Sequence, residues 1–288
     1  MNMSQTLEIP GHLLQVQRLT SADVTPELTK EIADFFRYIF ANAYGQYAFF
    51  PSEGKALTTE EVLGESEGYV SLQELDGLKN FPLHPETEEE AIFWHDPEVT
   101  LKRMREKFQK QAHLVLLRKQ ENEQLVGMTF GYEATLKDSF HHEEWHNPHH
   151  YSRLETSPFL RDYATFENAI NEAMAGNRER FGSVLGNKNA VDADTITYVW
   201  NCIALAPRIT GRGTGGILAS TFFQWISEQT DPNVLQLAEV IPGSTAHGML
   251  TKGGAIEVPG ALGEANPIGL VITPLSKLIL EANKKRLK

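Results

Sequence analysis

From Thr195 to Ala206 the chain reads TITYVWNCIALA, an apolar run rich in β-branched and aromatic residues, long enough to cross the middle of a sheet with both faces covered. It leads through PRITGRGTGG into a segment where Ile217, Leu218, Phe222, Trp225 and Ile226 fall on one helical stripe. A central strand, a glycine-rich turn and an amphipathic helix in direct succession require a layered α/β structure. They also prepare a site. Glycines permit φ above zero and leave room beside the main chain, so successive N–H groups can converge on an anion at the positive end of a helix starting near Gly215. Arg212 adds a charge beside them. A diphosphate suits such a turn.

The other segments fit the same architecture. HLLQVQRLT alternates as a strand, and Thr25 and Pro26 then supply the N-cap and first position of a helix with Leu28, Ile32, Phe35, Phe36, Ile39 and Phe40 on one side. Residues 43–95 lose periodicity and fill with Gly, Pro and acidic residues, predicting irregular surface structure with short helical pieces. Asp96 and Pro97 open a second helix with the stripe Leu101, Met104 and Phe108. Two strands about the polar turn Gln120–Gln124 form a hairpin, and a long polar insertion, about 138–190, follows with helical spacing in FLRDYATFENAINEAM. After the glycine turn and its helix come a strand (VLQLAEVI), a short helix ending in glycines (STAHGMLTKGG), β-like stretches near 255–258 and 269–273, and a terminal helix.

Charge and cysteine content narrow the partners. With 38 acidic against 26 basic residues the net charge is −12, which disfavours nucleic acid and anionic membranes as partners and suits a cationic or amine-bearing one. No window reaches the roughly 18 apolar residues of a membrane span, and MNMSQTLEIPGHLLQ lacks the basic start and apolar core of a signal peptide. A cytoplasmic location is expected. The lone Cys202 excludes an internal disulfide and a thiolate metal cage, and reads as a small buried apolar residue.

Two other readings of the glycine turn compete. Gly211, Gly213 and Gly216 satisfy G-x-G-x-x-G, and Glu239 ends the next strand about where a ribose-binding acid stands in a dinucleotide site. Against an NAD(P)-dependent oxidoreductase, Pro207 to Thr210 separate the strand from the first glycine, and too little chain remains after Gly216 for a doubly wound sheet with a substrate domain. A Walker A loop needs Lys-Ser or Lys-Thr after the glycines, and neither follows.

In the register P-x-x-R-G-x-G-x-G, this chain has Pro207, Thr210, Gly211, Arg212, Gly213, Thr214 and Gly215. With LTSADV after the first strand, LVGMTF in the third and the long strand before the turn, it resembles the GNAT (GCN5-related N-acetyltransferase) superfamily. Thr210 stands where that family has Arg or Gln. The resemblance covers roughly residues 13–40, 97–136 and 192–275. It implies one GNAT-like domain over 1–288 with insertions at about 43–95 and 138–190. The implied fold is α/β: a mixed, mostly antiparallel sheet flanked by helices, with its fourth and fifth strands splayed.

The resemblance also implies a reaction. An acyl-coenzyme A co-substrate, acetyl-CoA first, would lie with its diphosphate on Thr210, Gly211, Arg212, Gly213, Thr214, Gly215 and Gly216. Its pantetheine would run along the strand at Cys202, Ile203, Ala204 and Leu205. The acceptor is an amine of a small molecule or peptide, which must lose a proton before attack. AEVIPGS resembles the LEVRxSN stretch of the ribosomal-protein alanine N-acetyltransferase branch, which makes Glu239 the first candidate base, with Ser244 in place of the asparagine. Glu133 and Tyr198 are further candidates. The tyrosine that commonly protonates the departing thiolate is absent. Leu250 or Thr251 takes its place and Ala255 that of the following phenylalanine, leaving His247 or a water as acid.

Alternatives stay open at this stage: a CoA- or acyl-CoA-binding module without turnover, an NAD(P)-dependent oxidoreductase, and a homodimer as the assembly. His142, His146 and His150 recur every fourth residue, but Pro148 interrupts a helix through them and no cysteine assists, so an exposed polar loop is expected there and no metal site. FFRYIFANAYGQYAFF reads as helix core whose second half can line an acyl or acceptor pocket.

Overall fold

A computed structural model describes residues 5–9, 12–43, 97–140, 162–206, 209, 213–240, 245–259 and 269–286. Among these the chain forms an eight-stranded sheet in the order β1-β2-β3-β4-β5-β6-β8-β7. The strands are β1 (Gln5–Ile9), β2 (His12–Thr20), β3 (Ala112–Lys119), β4 (Leu125–Thr135), β5 (Ile196–Leu205), β6 (Leu235–Val240), β7 (Ile256–Glu257) and β8 (Gly269–Pro274). Every neighbouring pair is antiparallel except β5 with β6. The N-terminal strand β1 adds one strand ahead of those expected, so the expected fourth and fifth strands are β5 and β6.

Two helical layers cover the sheet. On one face lie α1 (Pro26–Ala43), α2 (Pro97–Phe108), α3 (Leu136–Phe140), α4 (Tyr163–Ala175) and α5 (Gly182–Leu185); on the other lie α6 (Thr214–Ile226), α7 (Thr245–Lys252) and α8 (Leu275–Arg286). Strand alternation divides the side chains between them. Leu114, Leu116, Val199, Leu235 and Leu237 pack on the α1/α2 face, and Val115, Leu117, Trp200, Ala238 and Val240 on the α6/α8 face. A strand buried on both sides reads as a largely apolar run, as residues 114–117 of β3 and most of β5 do.

The local signals act as read. The Leu28 N–H bonds to Thr25 Oγ1 at 3.2 Å, capping α1, whose Ile32, Phe35, Phe36 and Ile39 are buried. Met104 and Phe108 are the buried stripe of α2. Glycine ends α7 with Gly254 at φ +92°. The stretch expected as a polar insertion contributes more than surface, because Phe140, Phe166, Ile170, Phe181 and Leu185 all enter the α1/α2 core. Residues 44–96, with Asp96, and the histidines between His141 and His150 lie outside the described residues.

Candidate functional site

The parallel pair β5–β6 is brief. Register is kept only over Thr197–Leu235, Tyr198–Gln236 and Val199–Leu237. Beyond Val199, β5 goes on beside β4 as far as Leu205–Gly127, while β6 goes on beside β8 as far as Val240–Gly269. Among the described residues the two strands therefore part, and each turns one main-chain edge toward the space between them, the gap. The Ala206 N–H bonds the Val126 carbonyl at 2.8 Å, so by antiparallel alternation the main-chain groups of Ile203 and Leu205 face away from β4, toward that gap. Side chains follow the same rule. Cys202 and Ala204 pack on the α1/α2 face, Ile203 and Leu205 on the α6/α8 face.

Two strands of a mixed sheet splay beside the turn that starts the next helix. The sheet is mixed and mostly antiparallel, flanked by helices on both faces, as the resemblance implied. No known family profile and no curated protein matches the chain. Solved structures similar to it include a mosquito arylalkylamine N-acetyltransferase like 5b, at 11% identity and TM-score 0.44, covering 90% of this chain and 99% of that one. Arylalkylamine N-acetyltransferase 2 from Aedes aegypti is similar at 7% identity and TM-score 0.40, with the same 90% and 99% covered. AtaTR bound with acetyl-CoA is similar at 12% identity and TM-score 0.35, covering 67% and 85%. At these values no residue correspondence carries over, and the site rests on this chain's own geometry.

At the end of β5 the chain makes a tight turn, the Ile209 N–H bonding the Ala206 carbonyl at 2.8 Å. Gly213 then caps α6 with φ +80°, and its carbonyl accepts the Ile217 N–H at 3.0 Å. A non-glycine residue would be strained there. Thr214 is buried, and Gly215 and Gly216 lie half-buried in the first helical turn, where N–H groups have no partner within the helix. A methyl group added at Gly215 would lie 3.6 Å from Leu205 Cδ1, so this turn stands directly against the end of β5. Thr210, Gly211 and Arg212 lie outside the described residues, as does Ser244.

Glu239 is half-buried on β6 opposite Leu270 of β8, and by alternation with Leu235 and Leu237 it belongs to the α1/α2 face. It sits two residues beyond the last β5 pairing, on the strand that flanks the gap. On the other flank β5 carries a bulge. Phe130 pairs with Cys202 and Gly131 with Trp200, which leaves Asn201 as the extra residue. Thr129 secures the bulge on the α6 side, donating its hydroxyl to the Cys202 carbonyl at 2.7 Å and accepting the Trp200 indole N–H at 2.8 Å. On the α1/α2 side the Lys107 ammonium donates to Asn201 Oδ1 at 2.9 Å.

Tyr198 and Glu133 face each other across β5 and β4, but away from the gap. Tyr198 is fully buried against Phe222 of α6, and its hydroxyl lies 3.3 Å from His113 Nδ1. The ring passes over Gly131, where a Cβ would fall 2.6 Å from Tyr198 Cε1 and 2.6 Å from the Val199 carbonyl oxygen. Burial, then the charge of Glu133, pushes the Tyr198 phenol well above its ordinary range. Burial, then the charge of Asp231, raises the Glu133 carboxyl. His113 is lowered by burial and stays neutral, its ring edge-on to Trp225. These groups form a polar row inside the α6 layer at the closed, paired end of β5.

His247 lies on α7, and its Nε2 meets Glu257 Oε1 of β7 at 2.8 Å. Nothing in the local sequence joins the two, since the contact depends on β7 returning beside β8. Leu250, one of the two positions aligned with the missing tyrosine, is buried, and Thr251 donates its hydroxyl to the His247 carbonyl at 2.9 Å. Lys107 was missed as well. Its signal was present, because it falls three residues after Met104 on the apolar stripe of α2, where a solvated lysine has no place. Among the described residues no group of three or more metal-ligating side chains occurs, and no helix is long and apolar enough to cross a membrane.

Proposed function

We propose that the chain is an N-acyltransferase moving an acyl group from acyl-coenzyme A, acetyl-CoA first, to an amine of a small molecule or peptide. The observation that carries this reading is the parting of β5 from β6 directly beside the N-terminus of α6. An extended arm that carries amides and ends in a thioester can pair with the open edge of β5, while its diphosphate meets the N–H groups of residues 213–216. Thr210, Gly211 and Arg212 adjoin that cradle in sequence.

The Glu239 carboxylate takes one proton from the acceptor ammonium, directly or through water, and the neutral nitrogen attacks the thioester carbonyl carbon. The C–N bond forms as the carbonyl π pair moves to oxygen, where the Ile203 N–H on the β5 edge stabilises the charge. Collapse breaks the C–S bond. The nitrogen loses a second proton, the thiolate takes one from His247, and one proton is released overall. Glu257 holds the His247 ring for that delivery. Tyr198 and Glu133 take no part, since Tyr198 is buried in the α6 layer and Glu133 lies beside it on the same face of the sheet.

The missing tyrosine, replaced by the buried Leu250 or by Thr251, and Thr210 in place of Arg or Gln favour one second reading: a module that binds acyl-CoA without turnover. A thiol-release assay with acetyl, malonyl and medium-chain donors over an amine panel separates the two. Turnover is expected, and Glu239→Gln is expected to lower kcat/KM by about 10²–10⁴-fold with CoA affinity unchanged. CoA binding without release from any pair would favour the module. Binding of NAD but not CoA would favour an oxidoreductase. The remaining expectations, a cytoplasmic protein that engages neither nucleic acid nor membrane, rest on charge and composition.

A further inference from the structure

We infer that Lys107 is a positioning residue for the acyl-donor strand, acting through Asn201; this rests on the acyl-transfer reading above. Lysine is seldom buried unless its charge is held, yet Lys107 is only 4% exposed at the C-terminal end of α2, where the helix dipole favours a cation. Its ammonium lies 2.9 Å from Asn201 Oδ1 and 5.9 Å from the centre of the Phe130 ring. Phe130 is the β4 residue that pairs with Cys202, so the charge sits over the bulge itself.

The place matters more than the charge. Pairing with β6 ends at Val199, and the bulge begins two residues later, at the point where the gap opens. An extra residue in a strand kinks it and re-aims the groups that follow, which here include the main chain of Ile203. With β6 gone from one side, β5 has, among the described residues, β4 and side-chain contacts to fix that bend. Thr129 and Trp200 fix it from the α6 side, and Lys107 fixes it from the opposite face. Asn201 is an apt partner, because its amide oxygen accepts from an ammonium without adding a second buried charge. The contact ties α2, which lines the face carrying Glu239, to the strand edge that would receive the thioester. An error of about 1 Å there is enough to cost about 10²-fold in rate.

The test compares Lys107→Met, Asn201→Leu, Asn201→Asp and the double variant Lys107→Met/Asn201→Leu. Hydrogen exchange of the peptide spanning Trp200–Leu205 and steady-state acyl transfer are measured in each. In Lys107→Met and Asn201→Leu, exchange in that peptide should rise about tenfold while peptides from β3 and α8 stay protected. Their kcat should fall at least about tenfold with the KM for acyl donor held within about twofold, and the double variant should be no worse than either single. Asn201→Asp keeps an oxygen acceptor and should retain the parent's pattern. Unchanged exchange at 200–205 in Asn201→Leu, or kinetic losses that multiply in the double variant, would overturn the inference. If Lys107→Met does not fold, the two Asn201 variants decide it. Should the parent show no turnover, the acyl-transfer reading falls, and the exchange comparison still decides whether this contact holds the bulge.

Discussion

Gly215→Ala separates the demands of the fold from those of the ligand. The added methyl would touch Leu205 Cδ1 at 3.6 Å, an ordinary van der Waals distance, and among the described residues meets nothing closer. Alanine is a better helix former than glycine by about 0.8–1.0 kcal/mol in a helix interior, and by somewhat less in a first turn. The substitution should therefore stabilise the protein by about 0.5–1 kcal/mol, a rise in Tm of roughly 1–4 °C for a chain of this size. The same methyl occupies the space between the first turn of α6 and the end of β5, where a diphosphate leading into the gap must pass. A loss of CoA affinity of at least about tenfold, about 1.4 kcal/mol, is expected. Thermal unfolding without ligand and calorimetric titration with CoA read the two effects separately. A higher Tm with unchanged CoA affinity would refute the cradle. A lower Tm would refute the packing at Leu205.

Gly131→Ala should destabilise the fold by about 1–3 kcal/mol, because its Cβ would meet a main-chain oxygen as well as the Tyr198 ring, and neither can retreat freely; denaturant unfolding measures this, and a neutral result would mean the sheet relaxes there. The Glu133 carboxyl is raised above its ordinary 4.5, so the folded state holds that proton more tightly than the unfolded chain and loses stability as pH rises through the raised value. Glu133→Gln should therefore stabilise the protein at neutral pH and change little below about pH 4; melting curves across that range check the sign, and a stabilisation confined to acid would contradict it. Both side-chain polar atoms of Gln236 and the hydroxyl of Thr273, paired across β6 and β8, are buried without a hydrogen-bond partner among the described residues. Gln236→Met should raise stability by about 1 kcal/mol in chemical denaturation, and a loss of that size would show that an ordered water satisfies the amide.

What could be read in the sequence was local. Thr25 and Pro26 start α1 through their own side-chain and ring chemistry, and the apolar run of β5 announces a strand covered on both faces. The order of strands and helices followed from such signals. The five-residue β1 gave too short a pattern to read, although Pro10 and Gly11 after it are turn residues that point to a hairpin. Glu239 was legible as a carboxylate in an apolar strand, but the gap beside it followed only from the family resemblance, because a strand's separation from its neighbour is a property of two distant segments. The bulge at Asn201 shifts every later side chain by one place with no mark in the residues themselves. Tyr198 and Glu133 are further candidate bases by sequence, subject to strand parity; the register turns them to the α6 face of the sheet, where Gly131 admits the tyrosine ring. Lys107 with Asn201, and His247 with Glu257, unite residues whose proximity only the packed sheet creates.

The central claim is that the parted strands and the first turn of α6 form one acyl-CoA site. A crystal structure grown with coenzyme A tests it most directly. The diphosphate oxygens should lie about 3 Å from main-chain nitrogens of residues 213–216, with the pantetheine amides paired to the Ile203–Leu205 edge. Coenzyme A docked elsewhere, or a gap between β5 and β6 filled by the protein's own side chains, would contradict it.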